Sequence, residues 1–375
     1  MTTASQRFQA LDVFRGMTLC FMIIVNTPGS GPFSYAPLKH AAWHGFTPTD
    51  LVFPSFMFAV GNAMSFVMAK WAGMTTPAVL AKIGKRTLLI FVLGYLMYWF
   101  PFVELDKQGH WILSPISHTR ILGVLQRIAL AYGTASLLIY FLKPRATVFI
   151  CVAILLLYWG VMFWYGDPSD PLSMTGNAGI RIDKWLMGEN HMYHGEGIAF
   201  DPEGWLSTLP SIGNVVAGYV VGSFVQQKGK TYEGLAKLLL AGFGLLVIAY
   251  FWDLGFPINK KLWTSSFVLY TVGLDCIILG AVIYVIDFLG KTKWTYFFEV
   301  FGKNPLSIYL LSELGATMLY TLHAEPKVSV YNWIYIHIFQ NAGAYFGSFL
   351  FAVTFMLLCW SVGYFMDKNK IYIRV

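Results

Sequence analysis

Long apolar segments with few charges recur along the whole chain, and they constrain its fold more than any other feature. A hydrocarbon core about 30 Å thick requires roughly 20 residues of helix. Ten segments satisfy this requirement, and most connections between them are short. The predicted helices cover 11–27, 48–69, 87–104, 119–142, 147–166, 207–226, 236–256, 264–287, 300–322 and 342–366. The sequence therefore predicts an all-α, polytopic membrane protein in which residues 1–375 form one bundle.

The composition supports this prediction and excludes other classes of protein. Charged residues make up 12% of the chain, whereas a soluble globule devotes about a quarter of its residues to them. The net charge of +7 is distributed between the apolar segments and forms no basic stripe, so we predict no nucleic acid partner. Cys20, Cys151, Cys276 and Cys359 all lie inside apolar segments without a CxxC pair, which argues against a zinc or redox motif.

The distribution of Lys and Arg predicts how the chain crosses the membrane. The long connection at 167–206 is rich in Gly, Asp, Glu and His, and we expect it to fold outside the bilayer. With the N-terminus inside, basic residues are about twice as frequent on the inner side as on the outer side. This bias predicts that both termini are cytoplasmic and that the connections at 28–47 and 167–206 face outward.

The connection after the first predicted helix contains the densest chemistry. His40 is suited to act as a general base or a transient acyl acceptor, because imidazole titrates near neutrality. The alternative is a hydrogen-bonded histidine at the membrane interface. Asp50 follows Thr47 and Pro48, a pattern in which an acid caps the backbone N–H groups of the second helix. An orienting contact with the imidazole would compete with that capping role.

Several ionisable side chains fall within the predicted helices. Such a residue costs roughly 2.5–3.5 kcal/mol to insert, so it usually faces a cavity or a partner. Arg127, Asp275 and Glu313 belong to this group, together with Asp253. The Arg127 guanidinium is suited to bind a phosphate, a carboxylate or a carbonyl from inside the bundle. The alternative is a structural pair with Asp275 or Glu313.

Two histidine pairs have spacings that metal ligands can adopt. His40 and His44 have i, i+4 spacing, but the residues between them lack the glutamate of a zincin motif. His191 and His194 lie near glutamates in the long connection, without a dense cluster of further ligands. We therefore predict no metal.

A series of sequence blocks runs in order from one end of the chain to the other. In the first half these are Leu11-Asp12-Val13-Phe14-Arg15-Gly16, Val25-Asn26, Lys39-His40-Ala41-Ala42-Trp43-His44-Gly45, Asp50-Leu51-Val52-Phe53-Pro54 and Arg120-Ile121-Leu122-Gly123-Val124-Leu125-Gln126-Arg127. In the second half they are Phe200-Asp201-Pro202-Glu203-Gly204, Pro257-Ile258-Asn259-Lys260-Lys261-Leu262-Trp263-Thr264, Gly302-Lys303-Asn304-Pro305-Leu306 and Lys370-Ile371-Tyr372. The series closely resembles the heparan-α-glucosaminide N-acetyltransferase family and its bacterial relatives.

The resemblance implies a transmembrane acyltransferase. Acetyl-CoA would be supplied from the cytoplasm, and its acetyl group would reach the amine of a glucosamine-type sugar on the opposite side. The family's active histidine falls on His40 and its loop asparagine on Asn26. The chain resembles the shorter bacterial form, which implies a bacterial inner membrane and a periplasmic amino sugar or glycan fragment as the acceptor.

Within this hypothesis, Asn26 would donate to the developing oxyanion and Asp50 would orient His40. The residues expected to bind CoA are Arg127, Arg120, Gln126, Lys82 and Arg86. The acids expected to attract the amino sugar are Asp201, Glu203, Asp275 and Glu313. Two other functions stay open: an O-acyltransferase acting on polysaccharide, and a sugar or proton-coupled transporter with Asp275 and Glu313 as a proton relay. A homodimer is compatible with the sequence.

Overall fold

The computed structural model describes residues 8–71, 73–105 and 110–373 and is predominantly helical. The α-helices are α1 (Gln9–Asn26), α2 (Pro48–Trp71), α3 (Thr76–Trp99), α4 (Val124–Phe141), α5 (Pro144–Tyr165), α6 (Ala178–Met187), α7 (Trp205–Lys228), α8 (Tyr232–Asp253), α9 (Ser265–Ile283), α10 (Thr295–Lys303), α11 (Pro305–Thr321), α12 (Val330–Ile334) and α13 (Ala344–Lys368). The strands form two antiparallel hairpins, β1 (Val103–Leu105) with β2 (Trp111–Leu113) and β3 (His323–Glu325) with β4 (Val328–Ser329).

Within the described residues, eight helices are long and apolar enough to cross a membrane: α1, α2, α4, α5, α7, α8, α9 with the π-helical turn that continues it, and α13. Two other predicted spans coincide with α3, which carries basic side chains, and with α11, which has 17 residues. The prediction of an all-α, multi-pass membrane protein is confirmed.

Some predicted boundaries were wrong. The predicted helix 300–322 is interrupted at Asn304, because Pro305 has no N–H to continue the hydrogen-bond ladder and begins α11 instead. The helix predicted for 87–104 begins earlier, at Thr76, and ends at Trp99, so Lys82 and Arg86 lie on α3 and not in the connection before it. The long connection contains the helix α6.

Glycines allow α2 and α7 to touch through their backbones. A Cβ atom at Gly218 would lie 2.0 Å from the carbonyl oxygen of Phe58, and one at Gly61 would lie 1.9 Å from that of Val215. Neither distance can accommodate a side chain, so these glycines fix how closely the two helices approach. Because α2 begins next to His40 and α7 begins next to Glu203, the contact also fixes the spacing of the loops at this end of the bundle.

The connections that carry His40, Glu203 and Lys260 gather at one end of the bundle, which we call the loop face. Trp43 donates to the carbonyl oxygen of Leu172 at 2.9 Å, and the N–H of Gly45 donates to that of Ile258 at 2.8 Å. At the opposite face, Asn304 binds the carbonyl oxygen of Ile371, so the first and last described segments meet there through α10. The loops that carry the polar side chains predicted for the site therefore meet at the loop face.

Candidate active site

The loop that carries His40 is held in place by hydrogen bonds on both sides. The Thr47 hydroxyl donates to the carbonyl oxygen of Lys39 at 2.7 Å and so closes the loop just before α2. Lys261 donates to the carbonyl oxygen of Ala42 at 3.1 Å from the connection between α8 and α9. These contacts fix the height of His40 above the bundle.

Asp50 contacts both the backbone near the start of α2 and the imidazole of His40. One carboxylate oxygen, Oδ2, accepts from the N–H groups of Ala41 and Thr47 at 3.1 and 2.9 Å and from the Thr47 hydroxyl at 3.0 Å. The other oxygen, Oδ1, lies 2.7 Å from Nδ1 of His40. The Asp50 side chain is 1% exposed, whereas the His40 side chain is 41% exposed. A buried carboxylate therefore orients an accessible imidazole.

Lys260 is the second charged group on His40. Its Nζ lies 3.2 Å from Nδ1 and 3.1 Å from Nε2 of the imidazole. Burial lowers the pKa of His40, and the Lys260 charge lowers it further, whereas the hydrogen bond to Asp50 and the charge of Glu203 act in the opposite direction. The net pKa of His40 is below its ordinary value, so the imidazole is neutral at neutral pH.

A rigid turn at 257–264 presents Lys260. Asn259 is fully buried, and its Oδ1 accepts from the N–H of Leu262 at 2.9 Å while its N–H donates to the Thr264 hydroxyl at 3.1 Å. Trp263 has a φ of +53°, a conformation that is uncommon for a residue with a side chain. Its indole N–H donates to Oδ1 of Asn214 on α7 at 3.0 Å, which ties the turn to the bundle.

Beside this turn, Arg120 binds two acids from the segment before α7. Its Nε and Nη2 donate to both oxygens of Asp201 at 3.0 and 2.5 Å, and Nη2 also donates to Glu203 at 2.6 Å. The guanidinium lies between the rings of Tyr98 and Tyr193, with centroid distances of 4.9 and 4.8 Å. Arg120 is thereby engaged by protein groups, and its predicted contact with CoA stays a prediction.

The two acids titrate differently. Burial raises the pKa of Asp201, against the effect of Arg120. Burial alone would also raise the pKa of Glu203, but the positive charges of Arg120, Arg127 and Lys260 bring it below its ordinary value. Glu203 is therefore the carboxylate that stays ionised among these cations, and its predicted contact with an amino sugar is not yet tested.

Arg127 is fully buried near the start of α4. Its Nη2 donates to the carbonyl oxygen of Pro202 at 2.8 Å and to the hydroxyl of Ser207, and its guanidinium lies 4.7 Å from the ring centroid of Trp263. Its Nε and Nη1 have no hydrogen-bond partner in the described part of the chain. The alternative in which Arg127 pairs with Asp275 or Glu313 is wrong, because its neighbours are the segment before α7 and the turn after α8.

Asp275 and Glu313 lie on different helices and bind different partners. Asp275, fully buried on α9, accepts from the Ser55 hydroxyl on α2. Glu313 on α11 accepts from the Asn26 amide at 3.2 Å, and it also interacts with the Tyr309 hydroxyl. Asn26 is exposed at the end of α1, on the loop face. The two acids do not meet each other, which removes the support for a direct proton relay between them.

The other side chains predicted to bind CoA lie along α3 and α4. Gln126 is fully buried at the loop-face end of α4, and neither of its amide atoms has a partner among the described residues. Towards the opposite face, the Arg86 guanidinium carbon lies 4.6 Å from the centroid of the Tyr132 ring. The Nε of Arg86 has no hydrogen-bond partner among the described residues. Lys82 is exposed one turn before Arg86.

No group of three or more His, Cys, Asp or Glu side chains could hold a metal ion within the described ranges. His191 is instead bound through Nδ1 to the carbonyl oxygen of Thr119 at 2.8 Å. The prediction that the reaction needs no metal stays a prediction.

Sequence reasoning missed Lys260 and Trp263 as site residues. They lie in a block that the resemblance had singled out, but a lysine pair before an apolar helix is ordinary at a membrane boundary. It also missed Asp183, which is 2% exposed on α6 and accepts at 2.8 Å from the N–H of Trp205, the first residue of α7. Burial raises the pKa of Asp183 to about 7. The sequence places Asp183 in a connection between spans, and nothing local indicates that it accepts from the first residue of a distant helix.

Comparison with known proteins gives a consistent picture. Residues 7–248 match the family described as heparan-alpha-glucosaminide N-acetyltransferase, catalytic. The human protein named heparan-alpha-glucosaminide N-acetyltransferase is 28% identical over 364 residues, which are 82% of this chain and 53% of that protein. The mouse protein of the same name is 28% identical over 369 residues, or 83% of this chain and 54% of the relative. The chain spans about half the length of these relatives.

Proposed function

Because this chain belongs to the heparan-α-glucosaminide N-acetyltransferase catalytic family, we propose that it is a transmembrane acetyltransferase. The donor is acetyl-CoA, and the acceptor is the amine of a glucosamine-type sugar on the loop face. The observation that carries this proposal is the hydrogen bond of 2.7 Å between Nδ1 of His40 and the buried Asp50. It orients an exposed, neutral imidazole at the mouth of a membrane bundle.

The tautomer of His40 follows from its partner. An ionised carboxylate only accepts hydrogen bonds, so the proton shared with Asp50 belongs to Nδ1. Nε2 then carries the lone pair. A nitrogen of this kind can take a proton from the attacking amine, or it can take the acetyl group itself. The catalytic role of His40 is therefore a proposal that the local geometry supports.

A row of buried polar side chains supports a route for CoA through the bundle. Buried polar atoms in proteins are nearly always hydrogen-bonded, so atoms without partners need an explanation. Gln126, Arg127 and Ser136 on α4 carry such atoms, as do Asn62 on α2 and Thr87 on α3. They extend from the loop face towards Arg86 and the opposite face. Amide and hydroxyl groups of this kind suit the amides of a pantetheine arm.

In this arrangement the CoA phosphates lie near the basic end of α3, where Lys82 and Arg86 are available. The thioester then lies near His40 on the loop face. This places the donor on the cytoplasmic side and the acceptor outside, in agreement with the positive-inside distribution of Lys and Arg. A bacterial inner membrane and cytoplasmic termini are part of the same proposal.

The acceptor amine is recognised by the acids on the loop face. Glu313 accepts from Asn26, and Glu203 and Asp201 accept from Arg120. The ammonium form is attracted by these carboxylates, and the neutral amine attacks the thioester after it loses a proton. The balanced reaction joins the amine nitrogen to the acetyl carbon and breaks the carbon–sulfur bond, giving an acetamide and CoA thiol. The Asn26 amide is suited to donate to the oxyanion, a contribution of about 2.7–4 kcal/mol at comparable sites.

One assay tests the proposal. Purified protein in lipid nanodiscs is incubated with acetyl-CoA and glucosamine, and N-acetylglucosamine is quantified by mass spectrometry. We expect turnover by the wild type and a loss of about 10²–10⁴-fold in His40→Ala, the usual contribution of a general base. His323→Ala, an exposed histidine on the β3–β4 hairpin, is the matched control. Full activity in His40→Ala would remove His40 from the mechanism, and a wild type that neither binds CoA nor forms product would overturn the acetyltransferase proposal.

A further inference from the structure

Lys260 is the charged group nearest to His40 apart from Asp50, and its position relative to the imidazole is unusual. Its Nζ is almost equidistant from the two ring nitrogens, at 3.2 Å from Nδ1 and 3.1 Å from Nε2. A donor on the lone-pair axis of Nε2 would lie in the ring plane, far from Nδ1 on the other side of the ring. The equal distances therefore place the ammonium beside both ring nitrogens and off the lone-pair axis of Nε2.

This position has two consequences for His40. Because the ammonium is off the lone-pair axis of Nε2, its contact of 3.1 Å is not the linear hydrogen bond that would block this nitrogen. Because it is a positive charge at close range, it opposes the second positive charge that protonation of the imidazole would create. A single group thus leaves Nε2 accessible and disfavours the protonated ring.

The charges that act on this pair come from α2, α4, the segment before α7 and the turn itself. Asp50 on α2 binds Nδ1, and Glu203 from the segment before α7 acts on both His40 and Lys260. Arg127 and Lys261 also act on Lys260. Asp50 and Glu203 favour imidazolium, whereas burial of the ring and the charge of Lys260 oppose it. Burial and the neighbouring cations lower the pKa of Lys260, against the effect of the two acids.

The hydrogen bonds of the turn at 257–264 hold the backbone of Lys260 in place beside the imidazole. Its neighbour Lys261 points away from the imidazole and binds Glu196 at 2.6 Å and the carbonyl oxygen of Ala42. Asn259 and Trp263 fix the backbone on either side. The two lysines are thus adjacent in sequence and equal in charge, but only the first contacts the ring.

We propose that Lys260 is a positioning residue that keeps His40 neutral, with its Nε2 lone pair available to the acetyl group or to the proton of the acceptor amine. This inference rests on the proposed function for its role in catalysis, although its effect on His40 is independent of any substrate. Removal of the Lys260 charge makes imidazolium more favourable, and a larger share of His40 is then protonated and inactive at mildly acidic pH.

The test measures His40 directly. Diethyl pyrocarbonate modifies the unprotonated imidazole, so its rate against pH reports the protonation of the ring. The full chain in nanodiscs is treated briefly, and the peptide containing His40 is quantified by mass spectrometry. We expect Lys260→Met to modify His40 more slowly than the wild type in acid, by up to about tenfold well below both pKa values for a shift of one pKa unit, with equal rates at alkaline pH. Lys260→Arg keeps the charge and restores the wild-type profile.

Lys184→Met is the control, and it keeps the wild-type profile because Lys184 pairs with Glu189 at the surface of α6 and does not touch the ring. An unchanged profile in Lys260→Met, or an equal shift in Lys184→Met, overturns the inference. A second arm follows acetyl transfer to glucosamine against pH, where the acidic limb moves to higher pH in Lys260→Met. If the wild type transfers no acetyl group, the proposed function fails, while the modification profile still decides the role of Lys260.

Discussion

Arg120 and Asp201 form a two-point ion pair in which Nε and Nη2 reach both carboxylate oxygens, at 3.0 and 2.5 Å. The Asp201 side chain is fully buried, and that of Arg120 is 14% exposed. Glu203 accepts from the same guanidinium. The pair joins the segment before α4 to the segment before α7, so it holds together two walls of the candidate site.

Removal of this guanidinium is expected to destabilise the fold. Arg120→Met leaves two buried acids without their cation, which costs about 3–5 kcal/mol when one partner of a buried pair is lost. The apparent melting temperature in detergent measures the effect. Arg181→Met is the control, because its pair with Asp167 at 3.6 Å is exposed and contributes little. Equal melting temperatures for the two variants would contradict a structural role for Arg120.

Asp50 and His40 are expected to act as a unit. Asp50→Asn removes the carboxylate that holds Nδ1–H, so the turnover of acetyl-CoA should fall by about two orders of magnitude or more, within the range for general acid–base groups. Partial loss of the cap on α2 should also cost about 0.5–2 kcal/mol. The double variant with His40→Ala should be no slower than His40→Ala alone. Additive losses in the double variant would show that Asp50 acts independently.

The contact between α2 and α7 can be tested at a single glycine. Gly218→Ala puts a methyl group 2.0 Å from the carbonyl oxygen of Phe58, so the helices must separate, and we expect a loss of about 1–3 kcal/mol. Gly244→Ala on α8 is the control, since nothing lies within 4 Å of its new Cβ atom. This control should be neutral or slightly stabilising. Thermal unfolding in detergent compares the two, and an unaffected Gly218→Ala would show that the helices are not in backbone contact.

Asp183 makes stability depend on pH in a direction unusual for an acid. Its pKa of about 7 lies above the value of 3.8 for a free aspartate, because burial and the charge of Asp201 disfavour the ionised form. The folded state then holds a proton that the unfolded state lacks between these two values. Stability from this group is complete below pH 3.8 and is lost as the pH rises through 7, with a slope of at most about 1.4 kcal/mol per pH unit.

Asp183→Asn should remove this dependence while it keeps Oδ1 as an acceptor for the N–H of Trp205. Melting temperatures of the wild type and the variant are compared at pH 5 and pH 8. Relative to the wild type, the variant should be more stable at pH 8 than at pH 5. Parallel pH profiles would show that Asp183 does not carry a proton in the folded protein.

The helices were largely predictable because each span is a local property of about 20 residues. The hydrophobic length located most of the long helices, and Pro48 and Pro144 mark where two of them begin. The errors occurred where hydropathy alone does not mark a helix boundary. The break at Asn304 interrupts an apolar stretch, and α3 begins in a basic segment that hydropathy had excluded.

The candidate site was only partly predictable, for a different reason. His40 and Asp50 are ten residues apart, and the loop between them closes at the start of α2. Their contact is therefore local in sequence and could be predicted. Lys260 reaches the same imidazole from more than two hundred residues away, and Arg120 meets Asp201 across 81. Such pairings depend on which helix ends lie side by side, which spacing along a single chain does not reveal.

Main-chain hydrogen bonds between the loops restrict how the sequence of this face can change. Gly45 and Ile258 meet through main-chain atoms, as do Ile121 and His191 at 3.1 Å. Main-chain groups are the same in every residue except proline, so these contacts tolerate many substitutions but depend on register. A single inserted residue between the Gly45 contact and α2 would displace the carboxylate of Asp50 from the imidazole. We therefore expect related sequences to differ in the residues of these loops but to keep the lengths of the loops nearly constant.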